Sequence, residues 1–74
     1  MSSGNHVLLV QLGKRIKALR NKKGWTQTDL AVHLDLNRGH LSDIERGKRE
    51  AGIITLQVIA KGLDTTMAAL LKGL

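Results

Sequence analysis

The sequence predicts an all-α domain of five short helices. Three observations carry this: the 74-residue chain has no proline, its apolar residues recur at spacings of three and four, and its glycines fall mostly between the periodic stretches. No stretch shows strand-like alternation or an Asn-Gly hairpin signal. Helices are expected at about 7–23, 27–34, 38–46, 53–63 and 67–72, with residues 1–5 as a disordered N-terminal segment and residues 6–74 as one domain. A chain of this length buries only about 60–65% of its unfolded surface. There is no cysteine, so apolar packing must supply the stability.

In the first helix Leu9, Leu12, Ile16 and Leu19 form one apolar stripe, with Lys14, Arg15, Lys17 and Lys22 largely elsewhere around it. Gly24 ends it as a left-handed cap, and Lys22 and Lys23 suit a last turn where the helix dipole favours cations. The second helix opens on Thr26 as N-cap, Asp29 completes a capping box, and Trp25 is placed to staple onto Leu30. Leu30, Ala31 and Leu34 make its inward face. Asn37 caps the third helix, Leu36 staples onto Leu41, and Gly47 stops it. A helix of about nine residues is marginal alone, so packing through Leu41 and Ile44 must hold it. That leaves Arg38, Gly39, Ser42 and Asp43 facing outward. Leu56, Ile59, Ala60 and Leu63 mark the fourth helix, and Met67, Leu70 and Leu71 a fifth capped by Thr66.

Twelve Lys and Arg against six Asp and Glu give a net charge of +6, which favours a polyanionic partner. Six of the basic residues (Lys14, Arg15, Lys17, Arg20, Lys22, Lys23) crowd into the first helix and its end; Arg38, Arg46, Lys48 and Arg49 lie in or just after the third. A solvated face explains the first cluster as well as a ligand does. Trp25 is the only aromatic side chain of the Phe, Trp and Tyr class, too few for the stacking platforms that hold single strands or RNA. Duplex DNA is therefore the better partner. Catalysis, metal and cofactor are not expected: His6, His33 and His40 are scattered, and neither metal-ligand spacing nor a glycine-rich phosphate loop occurs. The longest apolar runs, residues 7–10 and 67–71, are far short of the ~20 residues that span a bilayer. No export leader is evident, so a soluble protein of the reducing cytoplasm, without membrane attachment, is expected.

The stretch WTQTDLAVHLDLNRGHLSDIERG, Trp25 to Gly47, preceded by LGKRIKALRNKKG and followed by TLQVIAKGLDTT, resembles the Cro/repressor type of helix-turn-helix protein. That family includes the lambda-like phage repressors and many small bacterial regulators, and the likeness runs from about Leu12 to Leu71. It implies a five-helix lambda-repressor-like fold and a sequence-specific, duplex-DNA-binding transcriptional regulator, a repressor or autoregulator, acting at the nucleoid. It also implies a homodimer on a palindromic operator, because one short reading helix covers few base pairs and two heads about one DNA turn apart supply the rest.

The resemblance implies roles for particular residues. Thr26 and Gln27 match positions that grip a phosphate at the start of the second helix. Asn37, Arg38, Gly39, Ser42 and Asp43 match the face that reads base edges in the major groove. Arg38 is the foremost reader, since its guanidinium fork fits guanine O6 and N7, worth roughly 1–3 kcal/mol of discrimination. His40 either reaches a phosphate or flanks the helix without a ligand. Arg46, Lys48 and Arg49 match positions that meet the phosphate strand. Arg20 and Glu45 match a structural salt bridge between the first and third helices.

Three residues depart from the family pattern. Asp35 stands at a corner where glycine is common, and an intact but slightly strained turn is expected. Gly39 brings no reading side chain. Asp43 places a carboxylate where phosphates repel it unless it accepts from a cytosine amino group or is neutralised by Arg46 or a neighbouring arginine; it is either a specificity filter or a mere solvated charge. For the dimer, Met67, Leu70, Leu71 and Leu74 form a terminal apolar set, although Leu70 serves equally well as core. The alternative function is an antitoxin or adaptor module that binds a protein partner on the same fold; such a module should lose the basic residues of its outward face.

Overall fold

The computed structural model describes residues 3–74, with side chains from residue 6 on. Five helices follow one another: α1 (Ser3–Lys22), α2 (Gln27–Leu34), α3 (Arg38–Glu45), α4 (Ile53–Gly62) and α5 (Met67–Leu71). Among the described residues there is no strand. The all-α reading holds.

Helix α1 begins at Ser3 rather than near residue 7, and so takes in residues 3–5 of the segment expected to be disordered. No proline or cap stops a helix there, and Gly4 costs one only about 1 kcal/mol, so the apolar stripe's helix extends backwards. Residues 1 and 2, the remainder of that segment, lie outside the described residues. The other helix ends agree with expectation or differ by one residue.

The starts of three helices are set by their own side chains. Thr26 Oγ1 accepts from the Asp29 N–H (3.0 Å) while Asp29 Oδ2 accepts from the Thr26 N–H (2.9 Å), a complete capping box. Asn37 Oδ1 accepts from the His40 N–H (2.9 Å), and Thr66 Oγ1 from the Ala69 N–H (3.0 Å). Each such cap contributes roughly 1 kcal/mol. Between α2 and α3, Asp35 adopts the left-handed conformation (φ 55°, ψ 44°), and the Leu36 N–H donates back to Ala31 O at 2.8 Å. The corner is intact without glycine. Asp64 does the same after α4 (φ 57°), where the Thr65 N–H donates to Ala60 O.

Ile16, Leu30, Leu41, Ile59 and Leu70 are sealed in the core, with Leu12, Ala31, Ile44, Leu56, Ala60 and Leu63 around them. Helix α1 crosses the C-terminal end of α3 at backbone contact. A Cβ on Gly13 would come within 2.6 Å of Ile44 O, and one on Gly47 within 2.8 Å of the Val10 backbone. Gly47 also turns the chain out of α3 at φ 72°, which a side chain would strain.

The C-terminal apolar set divides. Leu70 is fully buried and closes the core, so it is not available to a second protomer. Of the five residues of α5, Leu70 is the one that is fully buried. Met67 and Leu74 are half-buried against the core, and Leu71 alone is exposed, at 41%. Larger exposed aliphatics lie elsewhere, at Ile53 (67%), Ile54 (68%) and Val32 (76%).

Candidate nucleic-acid interface

Three connected side chains place α3. Glu45, buried at the end of α3, accepts from Arg20 Nε (2.8 Å) and Arg20 Nη2 (2.9 Å) on α1, and from Gln27 Nε2 (3.1 Å) on α2. Arg20 Nη1 donates further to Trp25 O at 2.7 Å, which ties down the α1–α2 link. The Glu45 carboxylate holds the Arg20 guanidinium's pKa above its ordinary value. Burial of the ion pair is thus matched by hydrogen bonds, and no buried side-chain polar atom among the described residues lacks a partner. The Arg20–Glu45 pairing expected from the sequence is present.

Gln27 has a partner within the protein that the sequence does not show. At the first position of α2 it lies beside the end of α3, and its amide donates to Glu45, so this side chain ties protein to protein. Thr26 is exposed and occupied as cap. A phosphate at this helix end would meet backbone N–H groups of the first turn, which have no partner within the helix.

Around α3 most of the expected contact residues converge. Asn37, Arg38, Gly39, His40, Ser42, Asp43, Arg46 and Arg49 line one open concavity of about 510 Å³. Lys48 is exposed beside it, held by its own N–H donating to Asp43 O at 2.9 Å, while Thr26 and Gln27 lie outside it. Arg38 is exposed and makes no hydrogen bond or ion pair to a described residue. His40 is half-buried, and its backbone N–H serves the Asn37 cap. On the same face Asp43 Oδ1 accepts from Arg46 Nη2 at 2.8 Å, so Arg46 is drawn across the face as well as placed after it. The concavity holds three arginines against one aspartate, a surface that attracts anions.

The first basic cluster does not form one free surface. Arg20 is buried in its pair. Arg15 Nη1 donates to Leu70 O (3.1 Å) and Lys72 O (2.6 Å), closing the end of α5. Lys23 pairs with Asp64 and stands 5.0 Å from the Trp25 ring, which tilts against His33 at 4.9 Å. Lys14, Lys17 and Lys22 remain exposed. No sequence signal marks the Arg15 and Lys23 contacts, because their partners come from the far end of the chain.

A capped helix, a left-handed corner and a second capped helix with an arginine-rich outward face define a helix-turn-helix protein. The chain belongs to the helix-turn-helix family HTH_3, whose model matches residues 16–70. It is 33% identical over 66 residues to the control protein C.MunI of a Mycoplasma species, covering 88% of this chain and 89% of that one. It is 37% identical over 59 residues to the immunity repressor of Bacillus phage phi105, covering 80% of this chain but only 41% of the repressor. Its fold superposes on the restriction-modification controller C.AhdI of Aeromonas hydrophila with a TM-score of 0.80 at 34% identity, over 84% of this chain and 94% of that one. The controller C.Esp1396I, solved as a tetramer with its natural 35 base-pair operator, matches with a TM-score of 0.76 at 40% identity, over 85% and 83% of the two chains. No helix of the described residues is long and apolar enough to cross a membrane.

Proposed function

We propose that this protein is a sequence-specific, duplex-DNA-binding transcriptional regulator, a repressor or autoregulator, that enters the major groove with α3. The observation that carries this is the convergence of Arg38, Ser42, Asp43, Arg46 and Arg49 on one open face of α3, whose pose is held from behind by the Arg20–Glu45–Gln27 contacts. Arg38 reads base edges, Arg49 and Lys48 meet the phosphate strand, and the N-terminus of α2 meets a second phosphate. The control proteins and repressor to which the chain is similar, and the operator-bound C.Esp1396I, support the reading.

Eight residues of α3 cover few base pairs, so two copies act together as a homodimer on a palindromic site. Of the C-terminal set only Leu71 is exposed enough to join that contact without opening the core. The protein acts by binding, without catalysis or cofactor, where the cell keeps its DNA in the cytoplasm. An antitoxin or adaptor reading is less well supported, because the outward face keeps its arginines. Selection from random duplexes by the purified protein tests the proposal. A palindromic consensus is expected, with half-sites about one turn, ~34–36 Å, apart; recovery of no common sequence would refute it.

A further inference from the structure

Asp43 is the one acid on the face that meets DNA, and its partner gives it a use. Its Oδ1 accepts from Arg46 Nη2 at 2.8 Å, three residues on along the chain. The pair carries no net charge, which cancels the repulsion a lone carboxylate would meet among phosphates. It is also only partly consumed. The second carboxylate oxygen and the other guanidinium N–H groups have no partner among the described residues. An acceptor and a fork of donors therefore stand side by side.

The pair shares one open concavity with Gly39. Helical side chains lean toward the N-terminus, over the residue one turn earlier, and for Asp43 that residue is Gly39. Gly39, which brings no side chain, and Asp43 both line the open concavity of about 510 Å³. A Cβ at Gly39 would stand 3.1 Å from Asn37 Oδ1, tight against the cap of the same helix. The two departures from the family pattern on this helix are thus one arrangement: a missing side chain beneath an added acid.

We propose that Asp43 and Arg46 act as a single neutral reader of a C·G base pair, with Gly39 leaving room for the base edge. Asp43 accepts from the cytosine N4 amino group and Arg46 donates to guanine O6 and N7 of the same pair. In the major groove cytosine offers that donor, and guanine offers two adjacent acceptors for the guanidinium fork. Thymine turns a carbonyl and a methyl group toward the carboxylate and is rejected. An A·T pair has an amine but no pair of adjacent acceptors. This proposal rests on the DNA-reading function above.

The test uses wild type and Asp43→Ala in random-duplex selection, followed by competition binding on the selected site. Wild type should select cytosine at one position of each half-site, preferring it over other bases by roughly 5- to 150-fold. Asp43→Ala should weaken the preference at that position, where Arg46 alone then reads the guanine, and keep the others. Replacing that cytosine with N4-methylcytosine, which puts a methyl group where the carboxylate needs a hydrogen, should weaken wild type and leave Asp43→Ala unaffected. Unchanged base preferences in Asp43→Ala, or indifference of wild type to N4-methylcytosine, would overturn the proposal and leave DNA reading standing. Failure of wild type to select any sequence would overturn DNA reading itself, and this proposal with it.

Discussion

The carboxylate of Glu45 grips the guanidinium of Arg20 in two prongs, at 2.8 and 2.9 Å, with the two side chains only 1% and 7% exposed. The pair lies at the joint of α1 and α3, so it sets the pose of the helix that faces DNA. Removing one partner strands the other. Glu45→Ala should cost roughly 3–5 kcal/mol, because Arg20 is left buried and unpaired. An apolar double replacement, Arg20→Met with Glu45→Leu, should recover most of that loss. Urea unfolding of wild type and the two variants checks this; a double variant no more stable than Glu45→Ala would contradict it.

Acid should weaken the fold through two exposed carboxylates. The Thr26 backbone N–H and then its hydroxyl hold the Asp29 carboxyl below the ordinary aspartate value, and the Lys23 ammonium does the same for Asp64. A carboxyl whose folded value is lowered adds stability above its unfolded value, and that gain is lost as pH falls through the folded value. Stability against urea should therefore decline only below about pH 5. Asp29→Asn combined with Asp64→Asn should make the acid decline shallower, and a slope identical to wild type would remove both residues from the explanation.

Leu70 and Leu71 are neighbours with opposite burdens. Leu70→Ala opens a cavity at a fully buried site and should cost about 2–5 kcal/mol. Leu71→Asp, at an exposed site, should change protomer stability by no more than about 0.5 kcal/mol while weakening self-association in sedimentation equilibrium. A dimer constant unchanged by Leu71→Asp would move the contact to other exposed aliphatics, of which Val32, Ile53 and Ile54 are the most exposed.

Salt separates positioning from reading. A dimer that neutralises roughly four to eight phosphates should bind duplex DNA with a log–log salt slope near −4 to −7. Lys48→Ala should weaken every sequence alike and reduce the magnitude of that slope by about one per protomer. Arg38→Ala should instead flatten preference at one base position, at a cost of roughly 1–3 kcal/mol on the preferred site. Identical behaviour of the two variants would refute the division of labour.

Much of the fold was legible because it is written at short range. The Thr26–Asp29 box, the Asn37 cap and the Thr66 cap each join residues three apart, so the starts of α2, α3 and α5 follow from sequence alone. The face of α3 was legible for the same reason: helical periodicity separates Leu41 and Ile44 from Arg38 and Asp43. Contacts across the fold were not. Arg15 reaches Lys72 across 57 positions and Lys23 reaches Asp64 across 41, and both had counted as free positive charge. Nor does anything local show that Glu45 lies beside Gln27. The early start of α1 was missed because the helix has no start signal of its own there.

The close approach of Gly13 to the end of α3 has a consequence for how such a protein can change its target. Where peptide groups abut directly, no rotamer lies between them to transmit an altered neighbour. The orientation of α3 is then indifferent to which residues it shows to solvent. Under the proposed function, new target preferences can be installed by rewriting Arg38, Ser42 and Asp43 on an unaltered chassis, whereas a side chain at Gly39 would press on the Asn37 cap.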